Sequence, residues 1–166
     1  MNIRPRKAGD DAAIDALVRD AFAASAHGYD GEAELVATLR DDDDAAIELV
    51  AESEDGEIVG HIMLSPMRAP EGALGLAPVS AKVGRQQRGI GAMLMDAAIA
   101  RAAGSGASMI FLLGDPAYYG RFGFSADTAA AFESAYPGPN FQALRLSPDA
   151  PERGRAEYAR AFQNSR

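Results

Sequence analysis

The stretch that most restricts this chain is "VSAKVGRQQRGIGAML", Val79 to Leu94. A strand runs into a loop carrying Gln86, Gln87, Arg88, Gly89 and Gly91, and a helix with Met93, Leu94 and Ala98 along its length follows at once. Strand and helix in direct succession require a fold that mixes both kinds of element. The unpaired N–H groups of a helix's first turn carry about half a positive charge and form a natural phosphate site. Glycines let the backbone approach a ligand without a Cβ in the way. Other phosphate motifs do not fit. "GIGAML" lacks the third glycine of the dinucleotide fingerprint, no acidic residue follows at the expected distance, and no Gly-Lys-Ser/Thr exists for a P-loop.

Charge agrees with a small anionic ligand. The chain has a formal charge of -8, which argues against nucleic acid as a partner, since phosphate backbones are held mainly by Lys and Arg. Yet from Gly72 to Met95 there is no Asp or Glu, while Lys82, Arg85 and Arg88 fall inside that span. The acidic run Asp41 to Asp44 reads as a solvated loop, because four consecutive carboxylates do not face one point on any regular element. Cysteine is absent and histidine occurs twice, so thiol chemistry is excluded and no metal site is expected. The polar N-terminus is not a secretory signal and no apolar run approaches the ~18 to 20 residues of a membrane span, which makes the cytoplasm the expected location. With 166 residues the chain fits one domain, 1–166, that buries about two-thirds of its unfolded surface.

Periodicity gives alternating elements with short links. "NIRP" starts an edge strand, and "DDAAIDALVRDAFAA" places Ile14, Leu17, Val18 and Phe22 at helical spacing. A shorter helix follows over Glu32 to Arg40. "AIELVAES" and "EIVGHIMLSPM" join at Glu54-Asp55-Gly56 as an antiparallel hairpin. "LGLAPVSAKV" is a further strand whose Pro78 predicts an irregular ladder, since proline donates no hydrogen bond. The helix from about Gly89 to Ala103 stops at "GSG", and "MIFLL" is a strand of the kind buried on both faces. "FQALRL" reads as a strand. In "PERGRAEYARAF" the alternation of Ala156, Tyr158, Arg160 and Phe162 favours a strand completing the sheet edge, although its alanines and arginines also suit a helix.

"QQRGIG" resembles the Gln/Arg-x-x-Gly-x-Gly/Ala signature of the GNAT superfamily of N-acetyltransferases, and "YYGRFGF" resembles its later Tyr-x-x-x-Gly-Phe turn. The element order is similar from Asn2 to about Leu146, and "LGDPAYYGRFGF" resembles a bacterial branch of predicted acetyltransferases. The resemblance implies an α+β class: a three-layer α/β/α fold around a central mixed, mostly antiparallel twisted sheet of about seven strands, splayed between strands 4 and 5. It implies acetyl-CoA as donor. By position, the backbone amides of Gln87, Arg88, Gly89, Ile90, Gly91 and Ala92, with Gln86 opening the motif, would hold the pyrophosphate. Val79, Ser80 and Ala81 would pair with the pantetheine arm and set the thioester beside them.

The mechanism so implied is direct attack of a neutral primary amine on the thioester, without an acyl-enzyme. Ser65, Ser80 and Ser105 lie outside any Gly-x-Ser-x-Gly elbow, so a hydrolase is not indicated. Tyr119, five positions before Phe124, matches the superfamily's proton donor to the departing thiolate, which leaves Tyr118 to pack. The superfamily's asparagine ahead of this tyrosine is replaced by "LLGDP". On the acceptor side, Tyr29 and Glu32, with Asp30 and Glu34, would form an acidic mouth for a cationic amine. His61 sits mid-strand on the face shared with Val59 and Met63, as a core residue or a group near the acceptor. Small-molecule, aminoacyl and peptide amines all stay open, members often form homodimers, and a non-catalytic acyl-CoA-binding or interaction module is the alternative.

Overall fold

The structure, a computed structural model, describes residues 1–23, 31–85 and 89–163. In chain order it comprises β1 (Asn2–Pro5), α1 (Asp11–Ala23), α2 (Glu32–Asp41), β2 (Ile47–Glu52), β3 (Ile58–Pro66), β4 (Leu74–Ala81) and α3 (Ile90–Gly104). Then follow β5 (Met109–Leu113), α4 (Pro116–Tyr119), α5 (Ala126–Ala130), β6 (Phe132–Glu133), β7 (Phe141–Arg145) and β8 (Gly154–Arg155). The main sheet runs β1-β2-β3-β4-β5-β7, and only β4 and β5 pair in parallel.

Apolar spacing puts a core on each face. Ile14 and Val18 of α1 and Leu35, Val36 and Leu39 of α2 pack with Val50, Met63, Met109 and Phe111. Ile90, Leu94, Met95, Ala98 and Ala102 of α3 pack with Leu49, Ile62, Leu64, Ile110 and Leu112. Successive residues of β5 therefore serve opposite cores, which is why "MIFLL" contains no polar residue. Each fully buried Leu, Ile or Phe contributes about 1.5 to 3 kcal/mol. A bulge where Ala51 faces Gly60 and Glu52 faces Ile58 turns Val59 into the α3 core, off the face that simple alternation gives it with Met63. The acidic run closes α2: Asp42 N–H donates to Thr38 at 2.9 Å, Asp44 N–H to Leu39 at 2.7 Å, and Asp43 takes φ 61°.

Among the described residues the main sheet has six strands, not about seven, because the C-terminal segment does not complete its edge. Gly154–Arg155 instead pairs with Phe132–Glu133, and Arg160–Gln163 forms a 3-10 turn. The reason lies in burial without alternation: Ala156, Tyr158, Ala159, Ala161 and Phe162 are all buried in the α1/α2 core. Glu157 is tied through main-chain bonds to Arg68 and Ala69 on the connection between β3 and β4.

Candidate active site

β4 and β5 meet only at Leu74 opposite Ile110 and Gly75 opposite Phe111, and beyond that point they diverge. Two features shape the gap. On β4, Ile62 faces Val79 while Leu64 faces Leu76, so an extra residue bulges at Ala77–Pro78, where the ladder was expected to break. At the vertex, Gly75 carries the ring of Tyr158, and a Cβ there would stand 2.7 Å from its Cδ1. The result is a cleft of about 220 Å³ lined by Leu76, Ala77, Pro78 and Val79 on one side and Leu112, Leu113 and Tyr119 on the other. From Leu76 to Ala81 the β5-facing edge of β4 has no β5 partner, leaving main-chain groups available to a bound ligand.

Tyr119 is held in place by its neighbours. Asp115 caps α4 by accepting from the Ala117 N–H at 2.9 Å, with Pro116 in the first turn, so "GDP" is a helix start and its carboxylate is already engaged. Gly114 admits the phenol ring, since a Cβ there would lie 2.3 Å from Tyr119 Cε2. Tyr118 and Phe124 meet the ring edge-on at 4.9 and 6.3 Å. Gly123, at φ 96°, reverses the chain after the 3-10 turn Gly120–Phe122. Burial pushes the Tyr119 phenol up to about 12, with Tyr118 and Asp115 adding to the rise. Tyr118 looks the other way: Arg121 stacks on its ring at 4.7 Å, and its hydroxyl lies 3.0 Å from where a Cβ on Gly91 would be. It packs α4 against the first turn of α3.

The start of α3 is brought to the same end of the sheet. Gly89 caps it in the left-handed region at φ 76°, its first turn has no acidic residue, and Met93 N–H donates to Gly89 O at 3.0 Å. Gly60 allows the close approach, because a Cβ there would stand 2.6 Å from Ile90 Cγ2 and 2.9 Å from Leu94 Cδ1. Lys82 and Arg85 are both drawn to Glu57, the latter at 3.5 Å, so two cations of the basic segment are part-neutralised by the β2–β3 hairpin.

His61 lies outside the cleft lining. It is fully buried, opposite Ser80 on β4, and Nε2 stands 2.8 Å from Glu48 Oε2. Arg40 pairs with the same carboxylate at 2.5 Å and reaches Asp11 at 3.6 Å. Burial pushes His61 below its ordinary value against the pull of Glu48. Burial also opposes ionisation of Glu48, but the hydrogen bonds from His61 and Arg40 outweigh it and hold the carboxyl below its ordinary value. An ionised Glu48 carboxylate can only accept, so Nε2 donates to it, and Nδ1 makes no hydrogen bond among the described residues.

Of the residues singled out in the sequence, Val79, Tyr119 and Glu32 line the cleft. Ser80 is buried on the His61 side, Ala81 ends β4, and Gly89, Ile90, Gly91 and Ala92 form the start of α3. Gln86, Gln87, Arg88, Tyr29 and Asp30 lie outside the described residues. Glu34 pairs with Arg19 on the surface at 2.8 Å. Sequence reasoning missed Phe22, Tyr136, Tyr158 and Phe162 in the lining. Phe22 was read only as a helix core position, and two of the others sit in a segment whose alternation suggested an edge strand.

The sheet thus splays beside a bulged strand, with a glycine-capped helix at one end and a half-buried tyrosine across the gap. The acetyltransferase (GNAT) family profile matches residues 12–124. The uncharacterized N-acetyltransferase YhbS of Escherichia coli strain K12 is 32% identical over 155 residues, covering 90% of each chain. A crystal structure of YhbS from Escherichia coli in complex with CoA superposes with a TM-score of 0.87 at 31% identity, covering 98% of this chain and 91% of that one. A GNAT family acetyltransferase from Brucella melitensis, crystallised in complex with acetyl-CoA, gives a TM-score of 0.83 at 36% identity over 97% of both chains. The chain belongs to the GNAT family of acetyltransferases and is an N-acetyltransferase.

Proposed function

We propose that residues 1–166 act as one cytoplasmic domain that transfers an acetyl group from acetyl-CoA to a primary amine in a ternary complex. The observation that carries this reading is the cleft that opens where β4 leaves β5, with Tyr119 in its lining. In this reading Gln86, Gln87, Arg88 and the amides of Gly89 to Ala92 hold the pyrophosphate at the start of α3. The unpaired edge of β4 at Val79, Ser80 and Ala81 takes the pantetheine arm.

The step balances without an enzyme-bound acyl group. The amine nitrogen forms a bond to the thioester carbonyl carbon, the C–S bond breaks, the nitrogen loses one proton and the sulfur gains one. Main-chain N–H groups beside Val79 stabilise the oxyanion between these events, a contribution of about 3 to 4 kcal/mol per well-placed donor in other acyl transfers. Tyr119 stays protonated, because its phenol is pushed up to about 12. Handing that proton outright to a thiolate of ordinary pKa near 8.5 would climb about 5 kcal/mol. Its role is to donate a hydrogen bond to the sulfur as charge develops, while the proton lost by the amine restores the balance.

Acetyl-CoA and CoA are expected to raise the melting temperature, by about 2.7 kcal/mol of stabilisation at a hundredfold excess over Kd. Thiol release across an amine panel checks transfer. Stabilisation without release on any acceptor would point to a binding module on the same fold, and no stabilisation at all would overturn both readings.

A further inference from the structure

The wall of the cleft that faces away from the strands is aromatic. Phe22 of α1, Tyr136, Tyr158 and Phe162 surround Glu32 of α2 there. Tyr136 and Tyr158 stand 6.0 Å apart, and Tyr158 and Phe162 5.1 Å apart. The same three rings line a second groove of about 450 Å³, which leads outward past Glu133 and Glu157. The cations of that groove are engaged: Arg68 donates to the Tyr158 carbonyl at 2.9 Å, and Arg155 is paired with Glu157. The three tilted rings thus border both spaces, and among the described residues Glu32 is the carboxylate that lines the inner one, together with Val79 and Tyr119.

We propose that the acceptor taken by this cleft is a primary amine on a compact apolar arm, an arylalkylamine or a close aliphatic equivalent. The inference rests on the acetyl-transfer reading of the cleft. Ring faces attract an arriving ammonium, and Glu32 supplies the opposite charge at the inner end. Once water is excluded, burial favours the neutral amine, the form that attacks a thioester. The inner cleft is smaller than a typical drug-sized site, so the nitrogen and a body of side-chain size enter it. Leu76, Ala77, Pro78, Val79, Leu112 and Leu113 make much of the lining apolar. A body densely substituted with hydroxyls or amides would therefore lose more hydration than the few polar groups there return, which disfavours aminosugars and peptide N-termini. Tyr136, half-buried, lines both spaces, so its ring forms part of the wall against which the arm of the amine packs.

The test pairs binding with turnover. Saturation-transfer NMR on the CoA-loaded protein uses 2-phenylethylamine as probe, and thiol release compares it with kanamycin and an alanyl peptide. The expected results are transfer to phenylethylamine, and a kcat/KM for it at least tenfold above the other two. Tyr136→Ala is expected to lower that value at least tenfold with the acetyl-CoA KM unchanged, Tyr136→Phe to retain it, and Glu32→Gln to raise the amine KM about fivefold or more. Turnover confined to kanamycin or the peptide, with no transfer to phenylethylamine, overturns this inference and keeps the acetyl-transfer reading. Phenylethylamine binding without thiol release from any amine overturns the acetyl-transfer reading, and this inference with it.

Discussion

Tyr119 owes its properties to two neighbours rather than to its own chemistry. Gly114 lets the ring lie against the end of β5, and the surrounding apolar cleft pushes the phenol up to about 12. Tyr119→Phe removes only a hydrogen bond to the sulfur and is therefore expected to lower kcat by about ten- to a hundredfold, at or below the low end of general-acid effects, while acetyl-CoA binding by calorimetry stays unchanged. In the wild type no alkaline fall in kcat belonging to this tyrosine is expected up to about pH 10, two units below its value. His61 makes a prediction of a different kind. Its folded value is pushed below the ordinary 6.5 by burial, and it is faced by Glu48 with Arg40 and Asp11 beyond. A histidine depressed in the folded state binds protons more readily when unfolded, so its contribution is full above about pH 6.5 and is lost as pH falls below it. Glu48, also depressed, adds a loss of the same sign from its ordinary 4.5 downward. Urea unfolding is expected to show lower stability at pH 5 than at pH 7.5, and His61→Gln should flatten that slope. An unchanged slope would mean that His61 does not titrate with unfolding.

Among the elements, α3 and β4 carry the site, and both were legible in the sequence for identifiable reasons. Glycine at 89 and the proline at 78 report local backbone requirements, which a sequence states directly. Gly60 did not announce itself, because its reason is a helix 30 residues further on: Ile90 and Leu94 press into the space a Cβ would fill. Gly60→Ala is expected to cost about 1 to 3 kcal/mol by overpacking and to raise the acetyl-CoA KM, since it displaces the first turn of α3. Chemical denaturation and initial-rate kinetics check the two effects, and a rise in KM without loss of stability would contradict the mechanism. The C-terminal segment was misread for a related reason. Alternation at Ala156, Tyr158 and Phe162 looks like an edge strand, but Ala159 and Ala161 are buried as well, because the chain crosses the face of the sheet instead of joining its edge.

For the molecule as a whole, the sheet is assembled so that one parallel pair, β4 and β5, is left to open. Tyr158 packs on Gly75, the last paired residue, the bulge at Ala77–Pro78 follows where β4 leaves β5, and cores lie on both faces of the sheet. The bulge of β4 and the start of α3 were legible, since they rest on proline and glycine. The far wall of the cleft draws Phe22 from α1, Glu32 from α2, Tyr136 from the segment before β7, and Tyr158 and Phe162 from the C-terminal segment, a combination that only the fold brings together. The most direct test of direct transfer in this cleft is a single-turnover reaction, with enzyme in excess of acetyl-CoA, followed by intact-protein and small-molecule mass spectrometry. The account predicts no thiol release before an amine is added, then one acetylated amine per thiol released with the protein mass unchanged throughout. A protein that gains an acetyl group from acetyl-CoA alone and passes it on when the amine arrives would contradict it.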